Sequence, residues 1–124
     1  MKTLLSTLCF ILSICFALEA QDWVKANPNG KKVLVDNDHL RMVEITILPG
    51  EKDAIHTHPE YIEYILESAN LMVTYPGKKT EPWTPKLGKA YYGKPEPPHS
   101  LENIDSKPFK CLIIEMKDRP YMTK

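Results

Sequence analysis

The chain has 124 residues, and its 16 Lys and Arg residues balance its 16 Asp and Glu residues, so the formal net charge is zero. A neutral composition gives no support for nucleic acid or an anionic membrane surface as a partner, and we expect neither. The length is enough for one compact domain and too short for two.

The first segment, MKTLLSTLCFILSICFALEA at residues 1–20, has the pattern of a secretory signal peptide. Lys2 gives a positive start, and residues 4–18 form a mostly apolar stretch that is too short to span a bilayer with ordinary flanks. Cleavage is predicted after Ala20, with Ala17 as the alternative site. An uncleaved membrane anchor and a lipoprotein signal are weaker interpretations. We therefore expect a secreted or periplasmic protein that has no membrane contact after cleavage.

Cysteine content also constrains the mature protein. Removal of residues 1–20 leaves 104 residues and a single cysteine, Cys111. One thiol cannot form an internal disulfide, so the stability of the mature chain must come from a packed core. Cys111 lies within an apolar segment, and we interpret it as a small core residue rather than a ligand or nucleophile.

Short apolar or alternating segments recur along the mature chain and predict strands. They are residues 31–35, 40–48, 61–66, 71–75, 89–93 and 109–116, and the proline-rich segments 80–89 and 94–98 between them are predicted as turns. In the second strand, Val43, Ile45 and Ile47 point to one side, which fits a strand with one face on a core. No segment has a convincing helical period, so the pattern predicts an all-β sandwich or small barrel. Residues 21–32 are expected to be an extended lead-in or an edge, with Trp23 as a packing anchor.

Histidines in two separate segments are the candidates for chemistry. His56 and His58 alternate with Thr57, so both imidazoles can turn towards one point inside a barrel, and His99 would approach from a distant segment. A first-row divalent ion binds such nitrogens at about 2.0–2.1 Å. Three imidazoles and a carboxylate leave coordination positions open, and the absence of thiolates disfavours a closed structural zinc site. His39 is assigned to an exposed turn.

The spacing of these residues resembles the two sequence motifs of the cupin family, over residues 33–117. The matching residues are Gly50, His56, His58 and Glu63 in the first motif, and Gly88, His99 and Asn103 in the second. Asn70 stands where the first motif ends in glycine, and Lys94 and Glu96 stand where the second has proline and glycine.

This resemblance implies an antiparallel β-barrel or jelly roll. The implied organisation is a signal peptide at 1–20, a lead-in at 21–32, a cupin domain at 33–117 and a C-terminal tail at 118–124. The resemblance also implies one divalent metal ion (Fe, Mn, Ni, Cu or Zn), with His56, His58, Glu63 and His99 as ligands. A small-molecule ligand or substrate is expected as the partner, and a homodimer is left open.

The position of the carboxylate ligand has two interpretations. If Ser68 takes the glycine place of the first motif, the ligand position falls on Tyr61 instead of Glu63. Side chains two residues apart share a strand face, so Tyr61 and Glu63 face inward in both registers and differ in depth by roughly 7 Å. Ligation by Glu63 is preferred because the family uses this interval. Glu63 and Tyr61 are also the candidate catalytic groups for proton transfer.

Three classes of function remain open, and with them whether the protein is an enzyme. The first is a metal-dependent dioxygenase, isomerase or lyase, in which the ion orients and polarises a small molecule or activates dioxygen. The second is a non-catalytic module that binds a sugar or another small ligand. The third is a structural domain whose histidines lie on the surface. The resemblance cannot decide among them, because cupins host many unrelated functions.

Overall fold

The structure is a computed structural model that describes residues 22–123. The predicted signal peptide lies outside these residues. The secondary-structure elements are α1 Trp23–Ala26, β1 Lys31–Asp36, β2 Leu40–Ile47, β3 His56–His58, β4 Tyr61–Glu67, β5 Leu71–Thr74, β6 Thr80–Trp83, β7 Ala90–Gly93, β8 Glu96–Asn103 and β9 Phe109–Met116. Within the described part of the chain, no helix has the length and hydropathy to span a membrane.

The strands form two antiparallel sheets. Five strands make one sheet in the order β1-β2-β9-β4-β7, and four make the other in the order β3-β8-β5-β6. Strands β6 and β7 lie at the edges of their sheets. This architecture confirms the all-β prediction and encloses a space between the two sheets, where the candidate ligands lie.

The core lies on the inner faces of β2 and β9. Val43, Ile45 and Ile47 are buried, as their alternation predicts, and they pair with buried residues of β9. Cys111 pairs with Ile45 and is fully buried, so it is a core residue as predicted. Each fully buried aliphatic or aromatic side chain contributes about 1.5–3 kcal/mol through removal from water. The other buried hydrophobic residues are Trp23, Ile65, Ala69, Leu71, Phe109 and Ile113.

Strands β6 and β8 occupy segments that were predicted, wholly or partly, as turns. Both contain proline, which cannot donate to a strand ladder. Pro82 is tolerated because β6 is an edge strand. Pro97 and Pro98 lie in β8 beside a shift in its register with β3, between the pairs His56 with His99 and His58 with Glu96. Proline therefore marks an edge and an irregularity here, and ends neither strand.

The lead-in forms the single-turn helix α1, so the prediction of an extended segment is wrong at this point. The Asp22 side chain caps the helix by accepting from the Val24 N–H at 3.1 Å. One turn is too short to show a helical period in the sequence, which explains the error. Trp23 is buried against the core, which confirms its assignment as a packing anchor.

Candidate metal centre

The fold brings the three predicted histidine ligands together. Strand β3 carries His56 and His58 and pairs with β8, where His99 lies directly opposite His56. All three rings are buried. The Nε2 atoms of His56 and His58 are 3.1 Å apart, and one ligand nitrogen from each histidine lies within 4.8 Å of the other two.

The remaining nitrogen of each ring is held by an oxygen atom. His56 Nδ1 lies 2.7 Å from the Ala54 carbonyl oxygen, and His99 Nδ1 lies 2.9 Å from the Pro97 carbonyl oxygen. His58 Nδ1 lies 2.8 Å from Oε1 of Glu115. These oxygens are acceptors, so each Nδ1 carries a hydrogen, and a ring in its neutral form then has its lone pair on Nε2. Metal-binding histidines are oriented in this way by their outer partners.

The contact between the two Nε2 atoms supports a bound cation. Burial, reinforced by the neighbouring His58, lowers the pKa of His56 to about 4. Burial also lowers the pKa of His99. If His56 and His58 were both neutral with their hydrogens on Nδ1, their Nε2 lone pairs would face each other at 3.1 Å. A metal ion between the Nε2 atoms removes this repulsion, so the donor set fits a divalent metal.

A buried carboxylate, Glu115, anchors the centre from outside. Besides His58, it accepts from Trp23 Nε1 at 2.8 Å and from Arg41 Nε at 2.9 Å. Burial would raise the pKa of Glu115, but the hydrogen bond from His58 and the charge of Arg41 outweigh it, so the pKa lies below its ordinary value. The Trp23 ring also stacks on His56, with centroids 5.5 Å apart. Glu115 and Trp23 therefore fix the orientation of two of the three histidines.

The histidines line a cavity of about 270 Å³ between the sheets. Six aromatic residues and four carboxylates also contribute to its wall, and no Lys or Arg is among the described residues that line it. The aromatic residues are Tyr61, Tyr75, Trp83, Tyr91, Tyr92 and Phe109, and the carboxylates are Asp53, Glu63, Glu81 and Glu96. Of these carboxylates, Asp53 is paired with Lys31 at 2.7 Å. The cavity has the size for a small molecule.

Comparison with known proteins gives the same architecture. No protein-family model and no curated protein matches the chain. Among solved structures, a cupin domain from Bordetella pertussis Tohama I has a TM-score of 0.65 and 22% identity, with 70% of this chain and 91% of that chain covered. The protein has the cupin fold. A protein with a double-stranded β-helix domain from Klebsiella pneumoniae also matches, with a TM-score of 0.56 and 18% identity over 69% of this chain and 74% of that chain. A DMSP lyase from Ruegeria pomeroyi matches with a TM-score of 0.52 and 19% identity over 71% of this chain and 46% of that chain.

Within this cupin fold, Glu63 lies on β4, in the sheet opposite the histidines. It pairs with Tyr91 and Ile113 on the neighbouring strands and is buried in the cavity wall. Burial raises the pKa of Glu63 to about 7, although a hydrogen bond with Cys111 acts in the opposite direction. Glu63 is not in the cluster whose ligand atoms lie within 4.8 Å of one another. Its role as a ligand therefore stays a prediction.

Tyr61, the alternative at the ligand position, also lines the cavity. Its ring centroid is 5.2 Å from that of His58, and its hydroxyl donates to Oε2 of Glu96 at 2.7 Å. Burial, followed by the charge of Glu96, raises the pKa of Tyr61, which keeps the phenol protonated as a donor. The second hydroxyl donor to Glu96 is Tyr75, at 2.8 Å from Oε1.

The structure gives a structural role to Asn103 of the second motif. Asn103 is fully buried and its amide donates to the Ile47 and Lys107 carbonyl oxygens, so it fastens the turn between β8 and β9. His39 is exposed in a bend, where its backbone N–H donates to Asn37 Oδ1, which confirms its assignment to a turn.

Sequence reasoning missed Glu115, although this residue shares the inward-facing parity of the buried residues of β9. The available signal was a charged residue on the strand face that otherwise carries core residues.

We expect Glu115→Gln to lower metal affinity by about 10–100-fold while the fold is retained, which is the usual cost of losing an outer partner of a metal ligand. The amide keeps the shape but removes the negative charge that holds the hydrogen on His58 Nδ1. Titration against a chromogenic chelator measures the change. Glu67→Gln, at a largely exposed position on β4, is the matched control and should bind as wild type. Equal affinity of the two variants would contradict the role of Glu115.

Proposed function

We propose that the protein binds one divalent metal ion through His56, His58 and His99 and acts with it on a small molecule in the adjacent cavity. The convergence of three buried Nε2 atoms, each on a ring whose Nδ1 is held by an acceptor, carries this proposal. Three imidazoles leave coordination positions open for a ligand, as in catalytic sites. Fe, Mn, Ni, Cu and Zn are all accepted by such a set. When bound, the ion would supply polarisation of an oxygen-bearing ligand.

The residues of the cavity favour proton-transfer chemistry, as in an isomerase or lyase. Glu63 faces the cavity, and burial brings its pKa to about 7, which suits a group that takes up and releases a proton near neutral pH. Tyr61 is less suited to act as a base because burial and Glu96 raise the pKa of its hydroxyl. We therefore assign proton transfer to Glu63 and orientation of polar groups to Tyr61.

The charges of the cavity wall also restrict the ligand. Glu63, Glu81 and Glu96 face the cavity, and no described lining residue is Lys or Arg. Such a wall disfavours a ligand with several negative charges and favours an uncharged or cationic molecule with an oxygen donor for the metal. The six aromatic residues also favour the second candidate, a non-catalytic module, because aromatic faces bind the apolar faces of sugars.

Calorimetric titration of the mature protein with Zn²⁺, Mn²⁺ and Ni²⁺ tests the proposed function. One metal per chain is expected for at least one of these ions. Failure to bind any of the expected metals would contradict the proposal. A sugar that stabilises the metal-free and metal-loaded protein equally in thermal unfolding would favour the non-catalytic module.

We also propose that the protein is exported, because residues 1–20 have the pattern of a signal peptide. Intact-mass measurement on protein from the secreted or periplasmic fraction should give a chain that begins near Gln21. A chain that keeps residues 1–20 and is recovered with the membranes would contradict export.

A further inference from the structure

We infer that Glu96 supplies the carboxylate ligand of this metal centre, in place of Glu63. The inference rests on the proposed function and deepens it. Glu96 occupies a position where the second sequence motif has glycine, so the motif pattern assigns it no role. The position of Glu96 in the structure gives it the role of a metal ligand.

The irregular register between β3 and β8 aims Glu96 at the histidines. On β3, His56 and His58 are two residues apart, whereas their partners on β8, His99 and Glu96, are three apart. In a regular strand, residues three apart point to opposite faces. The extra residue on β8 acts as a β-bulge, which re-aims a side chain, so Glu96 and His99 both face the cavity.

Distance supports a shared ion. Glu96 Oε2 lies 3.8 Å from Nε2 of His99, the atom left free for metal. Two atoms bound to one first-row ion at about 2.0–2.2 Å can lie up to about twice that distance apart, so these two atoms can share an ion. Glu96 is outside the cluster whose ligand atoms all lie within 4.8 Å of one another, so binding the same ion as all three histidines requires its carboxylate to move towards His56 and His58. Glu63, by contrast, lies on β4, in the opposite sheet.

Two tyrosines hold the Glu96 carboxylate beside His99. The Tyr61 hydroxyl donates to Oε2 and the Tyr75 hydroxyl donates to Oε1. Each carboxylate oxygen has two lone pairs, so Oε2 can bind a metal without losing the hydrogen bond from Tyr61. Ligating carboxylates are ordinarily hydrogen-bonded in this way by outer partners. Glu96 therefore lies beside one of the three histidine ligands, with a free lone pair and with the outer hydrogen bonds that ligating carboxylates have.

Metal titration of wild type, Glu96→Gln and Glu63→Gln, with circular dichroism as the check of folding, tests the inference. We expect Glu96→Gln to lower Zn²⁺ affinity by more than the roughly 10–100-fold cost of losing an outer partner, and to change the visible absorption of the Co²⁺-loaded protein. Glu63→Gln should leave both the affinity and the Co²⁺ spectrum close to wild type. If Glu96→Gln does not fold, Glu96→Asp, which keeps the charge but shortens the reach, should show the same two changes.

Three outcomes would overturn the inference. A loss of affinity and a changed Co²⁺ spectrum in Glu63→Gln would return the ligand role to Glu63. Unchanged binding in both variants would leave a site of three histidines, with the proposed function intact. A wild-type protein that binds no metal would overturn the proposed function and this inference together.

Discussion

His58→Ala and His99→Ala should each abolish tight metal binding, whereas His39→Ala should bind metal as the wild type does. His58 and His99 each direct a buried Nε2 at the same point, and alanine leaves no donor atom there. Loss of a direct ligand should exceed the roughly 10–100-fold effect of losing an outer partner. His39 lies in an exposed bend outside the cluster, so its replacement controls for histidine content.

The three variants are compared by metal content after dialysis against a weak chelator and by calorimetric titration. Circular dichroism should show that all three retain the β-sheet fold. Because His58 and His99 come from different strands, their equal effects would indicate that one ion joins β3 and β8. Metal retention by all three variants at the wild-type level would contradict the site.

Gly30→Ala should be the most damaging single-methyl substitution at a turn, lowering the free energy of unfolding by about 3–5 kcal/mol. Gly30 has a φ of +68°, a left-handed conformation that costs other residues about 1–2 kcal/mol. An added Cβ would also lie 2.0 Å from the Thr46 carbonyl oxygen, which is a backbone atom of strand β2, between β1 and β9 in the five-stranded sheet. The Gly30 carbonyl accepts from the Thr46 N–H at 2.7 Å, so the two segments cannot separate without losing this bond.

Gly77→Ala is the matched control for this effect. Gly77 has nearly the same φ, +72°, but an added Cβ would meet no atom within 4 Å. It should therefore cost only the left-handed backbone penalty of about 1–2 kcal/mol. Urea unfolding of the metal-free proteins measures both values. Equal destabilisation by the two substitutions would show that the close approach to Thr46 has no energetic consequence.

The sequence predicted the fold class and the pair of His56 and His58 because both depend on local pattern, whereas His99 was assigned through its place in the second motif. Alternation showed which side of β2 faces the core, and the spacing of His56 and His58 placed two imidazoles on one face. The proline-containing strands were harder to predict, because tolerance of proline depends on whether a strand lies at a sheet edge or an irregular pairing. That context comes from the assembled sheets.

The residues that orient the three histidines could not be predicted, because their roles depend on contacts between distant parts of the chain. His58 and Glu115 are 57 residues apart, and Glu115 and Trp23 are 92 residues apart. The alternation of residues along β9 predicts that Glu115 faces inward, but it does not show which side chain Glu115 contacts. The register shift that aims Glu96 at the cavity is likewise a property of the pairing of β3 with β8.

Anomalous diffraction from crystals of the mature protein, loaded with the metal found in its native compartment, would show whether His56, His58 and His99 bind one metal ion. Data collected above and below the absorption edge of that metal locate the ion independently of any assumed ligands. We expect one anomalous peak per chain, about 2.0–2.2 Å from the Nε2 atoms of His56, His58 and His99. A crystal with no peak at these three atoms, or with its peak at other residues, would contradict this expectation.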